Sequence, residues 1–339
     1  MMKTRWTVLF AAMLALSLMT VPDPAAGQVS DYYKNKIVTI IVAGSPAGGH
    51  TRYARMIAPY IKKHAGMRDV RIANTAGGGG LIAANHLWRT KPDGFNILFG
   101  NVPTLILAPI AGSAGVQFDA TQFTYLGRAT SEPRLLLVGG KSAIRTIQDV
   151  QKLNRPFVYP SQGTDEDFYA MAILSDALGF KMKAVTGYEG NADTSLAVIK
   201  GDGDGHITGL SEAEPSMKSG DKRPILTIAS QRIPGYPNVP MALEFAPSQK
   251  QAPVRAIANI METHRSYVGP PKTDPRATAA FRAAVAAALK DPGLLEEATK
   301  TGRPVSFMDG ARQQQVVEEI TKASAGLAPI LKAAIQEIK

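Results

Sequence analysis

Short apolar runs alternate along the chain with segments whose apolar positions recur at helical spacing. Residues 37–43, IVTIIVA, form a continuous β-branched run, the pattern of a parallel strand buried on both faces. Glycine and proline dominate residues 44–50, and a helix is predicted over 51–64. The cycle repeats with a strand at 70–73, a glycine-dense loop at 76–80 and a helix at 81–88. After the turn Lys91-Pro92-Asp93-Gly94 comes a strand at 96–99. Further strands are predicted at 123–128, 135–138, 156–159, 182–186, 206–208 and 225–228, with helices at 146–153 and 194–200. A long amphipathic helix follows residues 160–167, where Thr164 or Asp165 suits the N-cap and Glu166 and Asp167 the first turn. Such alternation predicts an α/β fold of mostly parallel sheets flanked by helices. A return strand at 267–271, an alanine-rich helix from Pro275 and closing helices over 312–339 predict a first domain completed only after the second.

The loops carry the candidate chemistry. The first predicted strands all end in small or polar residues, and in an open α/β sheet those ends share the edge where ligands bind. Glycines between a strand and a helix let backbone N–H groups approach a ligand, and the helix N-terminus adds positive potential. Residues 44–51 thus read as a cradle for a small anion or polar group.

The N-terminus reads as an export signal. Lys3 and Arg5 precede an apolar run at 6–19, and Ala25-Ala26-Gly27 offers a cleavage site before Gln28. The run is shorter than the ~20 residues a membrane span needs. No cysteine occurs, so disulfides, thiolate metal sites and a lipoprotein anchor are excluded. The formal charge of +10 becomes +9 once Lys3, Arg5 and Asp23 are removed. Its lysines and arginines are dispersed without a dense basic block, which argues against nucleic acid as a partner.

Enzyme motifs are missing. The histidines lack metal-ligand spacing, no G-x-S-x-G elbow occurs, and Gly139-Gly140-Lys141-Ser142 lacks the first glycine of a P-loop. The alternating acids at 201–205 suggest a calcium loop, but Glu212 falls at the wrong position for an EF-hand. These absences favour a binding protein over an enzyme, with no cofactor and no metal expected.

Several short pieces, in order, resemble the extracytoplasmic solute receptors of tripartite tricarboxylate transporters, the Bug-type binding proteins. They are Ser45-Pro46-Ala47-Gly48-Gly49 with Tyr53-Ala54-Arg55, the loop at 76–80, Lys91-Pro92-Asp93-Gly94, Gly187-Tyr188-Glu189-Gly190 and Val268-Gly269-Pro270-Pro271. The resemblance covers the mature chain and implies a two-domain periplasmic-binding-protein type II fold, a Venus flytrap. Lobe 1 would comprise 28–130 plus 258–339, and lobe 2 residues 131–257. It implies a monomeric periplasmic receptor that closes on a carboxylate and presents it to membrane permease subunits. Carried over by position, the first-lobe contacts would be Gly48, Gly49, His50 and Thr51, with Gly78 and Asn101 nearby. Those of the second lobe would be Ser161, Gly163, Thr164, Asp165, Tyr188, Gly190 and Asn191.

The chain departs from the family pattern at Thr51, where a branch of the family is acidic, at Glu189, and over residues 207–211. Ligand identity is therefore not carried over. If Asp165, Glu166 or Glu189 face the cleft, a dianion is disfavoured there by like-charge repulsion. Two other outputs stay open at this point: a ligand sensor feeding a signalling partner, and a periplasmic hydrolase or isomerase, which would gain support if His50 met an acid such as Asp165 across the cleft.

Overall fold

A computed structural model of the chain describes residues 31–338. The export signal and cleavage site expected at 1–27 lie outside them.

The chain opens with β1 (Ile37–Val42), α1 (Gly49–His64), β2 (Asp69–Asn74), α2 (Leu81–Trp88), β3 (Asn96–Gly100), α3 (Val102–Ala111) and β4 (Thr124–Arg128). It crosses into β5 (Arg134–Gly139), α4 (Ile147–Gln151), β6 (Phe157–Pro160), α5 (Glu166–Leu178), β7 (Met182–Val185) and α6 (Asn191–Lys200). Then follow β8 (Gly205–Gly209), α7 (Leu210–Lys218), β9 (Lys222–Ile228), α8 (Ala242–Phe245) and α9 (Gln251–Met261). The return runs through β10 (Ser266–Gly269), α10 (Pro275–Ala288), α11 (Pro292–Lys300), β11 (Met308–Asp309), α12 (Gly310–Ala323) and α13 (Ala328–Gln336).

Two sheet-bearing lobes result. The first holds a sheet of order β11-β4-β10-β3-β1-β2, and the second a sheet β8-β5-β9 beside the pair β6-β7. β1 runs parallel to β2 and β3, and β6 runs parallel to β7, as the alternation predicts. The sheet β8-β5-β9 is antiparallel, against the expectation of a mostly parallel second lobe. The crossings explain this. β5 enters the lobe at Arg134 and β9 leaves it at Ile228, and these residues pair, so entry and exit share one edge. Likewise β4 leaves the first sheet at Arg128 opposite Ser266, where β10 returns, and β10 lies antiparallel between β3 and β4.

Each face of the first sheet has its own core. On one, α1, α10 and α11 cover a cluster containing Tyr33, Ile57, Phe99, Tyr267 and Phe281. Phe99 lies 4.7 Å from Tyr267 and Tyr267 lies 5.7 Å from Phe281, ring centre to ring centre. On the other, α2, α3 and α13 contribute to a cluster that continues through α5 into Leu136 and Phe157 of the second lobe. Helix α5 is buried nearly all round, not amphipathic as expected, because α9 and α13 pack against it. Its sequence FYAMAIL has no polar face to offer water. Among the described residues no helix is long and apolar enough to cross a membrane.

Packing explains the glycine pair at 139–140. A Cβ on Gly139 would sit 2.9 Å from the Val198 carbonyl oxygen, and one on Gly140 1.9 Å from that of Gly220. Backbone cannot yield as a side-chain tip can, so Gly140→Ala is expected to cost about 1–3 kcal/mol. Denaturant unfolding of the purified variant reads that loss, and unchanged stability would show the edge of β5 to be loosely held.

Candidate functional site

Loops from both lobes enclose a chamber of about 510 Å³. From the first lobe come the β1–α1 turn, the glycine loop before α2, and Asn101 after β3. Facing them are Gln162 and Asp165 to Asp167 around the start of α5, the turn at Tyr188 to Asn191, and Glu212 on α7. Glycine allows the lobes to meet. A Cβ on Gly79 (φ +62°) would lie 2.9 Å from the Thr164 carbonyl oxygen, and one on Gly49 only 1.8 Å from Glu212 Oε1.

Helix α1 begins at Gly49, two residues before the predicted start, so His50 and Thr51 occupy its first turn. Of the predicted contacts, Gly48, Gly49, His50, Asn101, Asp165, Tyr188, Gly190 and Asn191 line the chamber. Others stand behind the wall. Thr51 is fully buried, donating to the Ser45 carbonyl at 2.7 Å and accepting from Asn74 Nδ2 at 2.6 Å, so it fixes the turn. Ser161 donates to the Gly163 carbonyl at 2.6 Å, which shapes its own loop. Gly163 takes φ +118° with open space around it, so conformation rather than close approach calls for glycine there. Gly77, Gly79 and Gly80 form the wall where Gly78 was expected, and Thr164 contributes its backbone to the contact with Gly79.

Charges that the loop motifs did not reveal dominate the chamber. Arg134 and Arg265 line it at 3 % and 1 % exposure, together with Glu166, Asp167, His264 and Glu212. Arg265 binds Glu132, reaches Glu212 Oε1 at 3.0 Å and stacks 4.4 Å above the Tyr53 ring. Tyr53 and the Ser211 N–H also donate to Glu132, at 3.0 and 2.8 Å. Arg134 donates to Glu166 at 2.7 Å and to His264 Nε2 at 2.8 Å. His264 Nε2 stands 3.4 Å from Glu166, so the shorter contact makes it an acceptor from Arg134. Burial, with Arg134 beside it, holds His264 well below the usual imidazole range. A signal for the arginines existed in the sequence: each stands at the head of an apolar strand, where a charge is buried only if paired.

His50 donates from Nε2 to Asn101 Oδ1 at 2.6 Å, and Asn101 Nδ2 donates in turn to Glu166. Burial and then Arg265 lower the His50 imidazole to about 4, so it is neutral near pH 7. His50 meets Asn101 rather than Asp165. Among the described residues no cluster of His, Asp and Glu is arranged to hold a metal. The acids at 201–205 serve the loop: Asp204 accepts from Arg155 and from the Val158 N–H at 2.7 Å.

Carboxylates outnumber guanidiniums here. Burial works against the Glu166 carboxylate, but the Arg134 charge beside it holds it well below the usual range. Burial pushes Asp167 well above that range against the pull of Arg134, with Glu166 and Asp165 adding to the rise. Asp167 Oδ1 is buried without a hydrogen-bond partner; Arg134 Nε is 3.4 Å away, an ion-pair distance but not a hydrogen bond. Burial and then Glu166 push Asp165 up to about 7. Asp165 also caps α5, its Oδ1 accepting from the Phe168 N–H at 2.9 Å.

The raised carboxyl has a sign. Native Asp165 holds a proton between its ordinary value of 3.8 and about 7, so its contribution is fully present below that window and is lost as pH rises through 7. D165N keeps the cap acceptor and removes the charge. It is expected to melt about 2–4 °C above wild type at pH 8 and close to it at pH 4. Thermal unfolding at both values checks this; no gain at pH 8 would show that the ionised carboxylate is tolerated.

Comparison with known proteins places this architecture. A UPF0065 protein of Bordetella bronchiseptica is 25 % identical over 287 residues, 79 % of this chain and 82 % of its own length. The fold matches MatC from Rhodopseudomonas palustris with bound malate (TM-score 0.71, 21 % identity, 87 % of this chain and 99 % of that one). It also matches Rpa4515 of R. palustris with adipate (TM-score 0.72, 22 % identity, 87 % and 97 %). The model of the tripartite tricarboxylate transporter family receptor matches residues 53–334, and the chain belongs to that family of solute-binding, non-enzymatic Bug-type receptors.

Proposed function

We propose that the protein is a monomeric periplasmic receptor, freed of residues 1–27, that captures a small organic acid between its lobes and delivers it to the permease subunits of a tripartite carrier. Lobe 1 is taken as 28–130 plus 258–339 and lobe 2 as 131–257. The observation that carries the reading is the chamber of about 510 Å³ walled by both lobes, in a chain of this family. Malate in MatC and adipate in Rpa4515 support an acid as cargo. On the first-lobe side, the α1 N-terminus and the turn at 44–48 present N–H groups that can bind an anion without a guanidinium. Neither capture nor release requires a bond to break, since ligand contacts with both lobes suffice to shift open toward closed.

Thermal-shift titration of residues 28–339 with mono-, di- and tricarboxylates tests the reading, because a ligand of the native state stabilises it by RT ln(1 + [L]/Kd) and so raises Tm. A shift with one acid class, and recovery of that acid unchanged, is the expected result. Absence of any shift would refute it. The cradle has its own test in Gly49→Val, whose side chain would collide with Glu212 and hold the lobes apart. Calorimetry should show at least about tenfold weaker binding, the equivalent of ~1.4 kcal/mol, with an unchanged circular dichroism spectrum. Wild-type affinity in that variant would rule out closure at Gly49.

A further inference from the structure

A second chamber, of about 640 Å³, lies behind the first and shares Gly48, Gly49, Asn191 and Glu212 with it. The shared wall is pinned by Asn191 Nδ2, which donates to Glu212 Oε2 and Thr208 Oγ1, each at 2.5 Å. Into this space come Lys222 at the head of β9, His206 and Thr208 on β8, and Ser195 on α6, with Arg52 and Arg303 at the margin.

Lys222 is the unusual member. It is 3 % exposed, and no carboxylate among the described residues stands at ion-pair distance from its ammonium. Nζ donates to Ser195 Oγ at 2.6 Å and to His206 Nε2 at 2.8 Å, both uncharged partners. His206, accepting at Nε2, carries its proton on Nδ1 and donates it to Thr194 Oγ1 at 3.2 Å, so the imidazole cannot neutralise the lysine. Burial and the Lys222 charge both hold His206 well below its ordinary value. A buried ammonium without a counter-ion is costly, and an anion entering the chamber would remove that cost.

The first chamber offers an anion no comparable partner. Arg265 is occupied by Glu132 and Glu212, and Arg134 by Glu166 and Asp167, with Asp165 beside them. Among the described residues, an organic acid inside this cleft finds a cationic side chain without a carboxylate partner only on the second chamber's wall. We infer that Lys222, with the hydroxyl of Ser195, forms the subsite for the ligand's carboxylate, and that the carboxylate-rich first chamber takes the uncharged or hydrogen-bond-donating remainder. This rests on the receptor reading above and adds where the acid group sits and which half of the cleft rejects a second one.

Lys222→Met is the deciding variant. Its unliganded Tm should equal or exceed that of wild type, since a buried unpaired charge is gone. Its affinity for the acid that shifts wild type should fall at least about 30-fold. Ser195→Ala should weaken the same acid less, and Lys222→Arg should restore part of the loss. The pH profile gives an independent readout. Burial lowers Lys222 to about 8, with Glu212 and Asp221 opposing the fall. His206 on β8, Asp193 on α6, Glu189 before it, Arg52 on α1 and Arg303 after α11 also line this chamber. Affinity should therefore decline as pH rises above about 8 in wild type and stay flat in the Met variant.

The titrations use acetate, succinate, malate, adipate and citrate, with inorganic phosphate and sulfate as a second arm. Unchanged acid affinity in Lys222→Met, or a large loss of unliganded Tm without loss of affinity, overturns the subsite and leaves the receptor reading standing. A Lys222-dependent response to phosphate or sulfate alone keeps the anion subsite and overturns the carboxylate reading. No response of wild type to any of these anions overturns both.

Discussion

Arg265 joins three parts of the chain that are far apart in sequence. It stands at the head of the returning strand β10, in a left-handed backbone conformation (φ +49°), with its guanidinium almost wholly out of water. It holds Glu132 on the outgoing crossover and Glu212 on the first turn of α7. A charge so buried is tolerated only when paired and hydrogen-bonded, and each partner here lies across a lobe boundary or at it. The pairing of Arg134 with Ile228 and of Arg128 with Ser266 places both crossings side by side, where such a clasp can form. Sheet topology and electrostatics therefore depend on one another at this point.

Around that clasp the lobes close with little room to spare. Gly79 faces the backbone of Thr164 and Asp165, and Gly49 faces Glu212. These contacts lie on opposite parts of the chamber wall and leave no space for a β-carbon. The second lobe is also tied to the first from behind, where α5 is buried against α13, which packs on α3 as well. Since α5 carries Asp165 at its cap and Glu166 and Asp167 in its first turn, the packing that secures the helix also sets the charges in the cleft.

That electrostatic arrangement is uneven. In the first chamber the carboxylates exceed the guanidiniums, and protons held on Asp165 and Asp167 relieve part of the excess. In the second, an ammonium is buried with only uncharged hydrogen-bond partners, while Glu189, Asp193 and Glu212 line the space without pairing with it. A solute spanning both would be sorted by the polarity of its two ends. On that proposed arrangement a symmetric dicarboxylate would meet repulsion at the end that enters the first chamber.

Much was legible in the sequence because it is local. The β-branched run at 37–43, the glycines after it, the Asp165 cap and the strand–helix alternation each depend on neighbours within a few residues, and α/β order follows from them. The cavity-lining loops at Gly48 to His50 and Tyr188 to Asn191 were found for the same reason. Non-local facts were not legible. Whether Thr51 faces the ligand or Ser45 depends on one side-chain rotation, and whether α5 has a wet face depends on helices distant along the chain. Arg134, His264 and Arg265 gained their places in the site only when antiparallel crossings brought β5 beside β9 and β10 between β3 and β4. The sequence by itself determined the elements, their order and the backbone cradle. Only the tertiary structure decided which charges are paired and which, like Lys222, are left for a ligand, because pairing is a matter of distance in space and not along the chain.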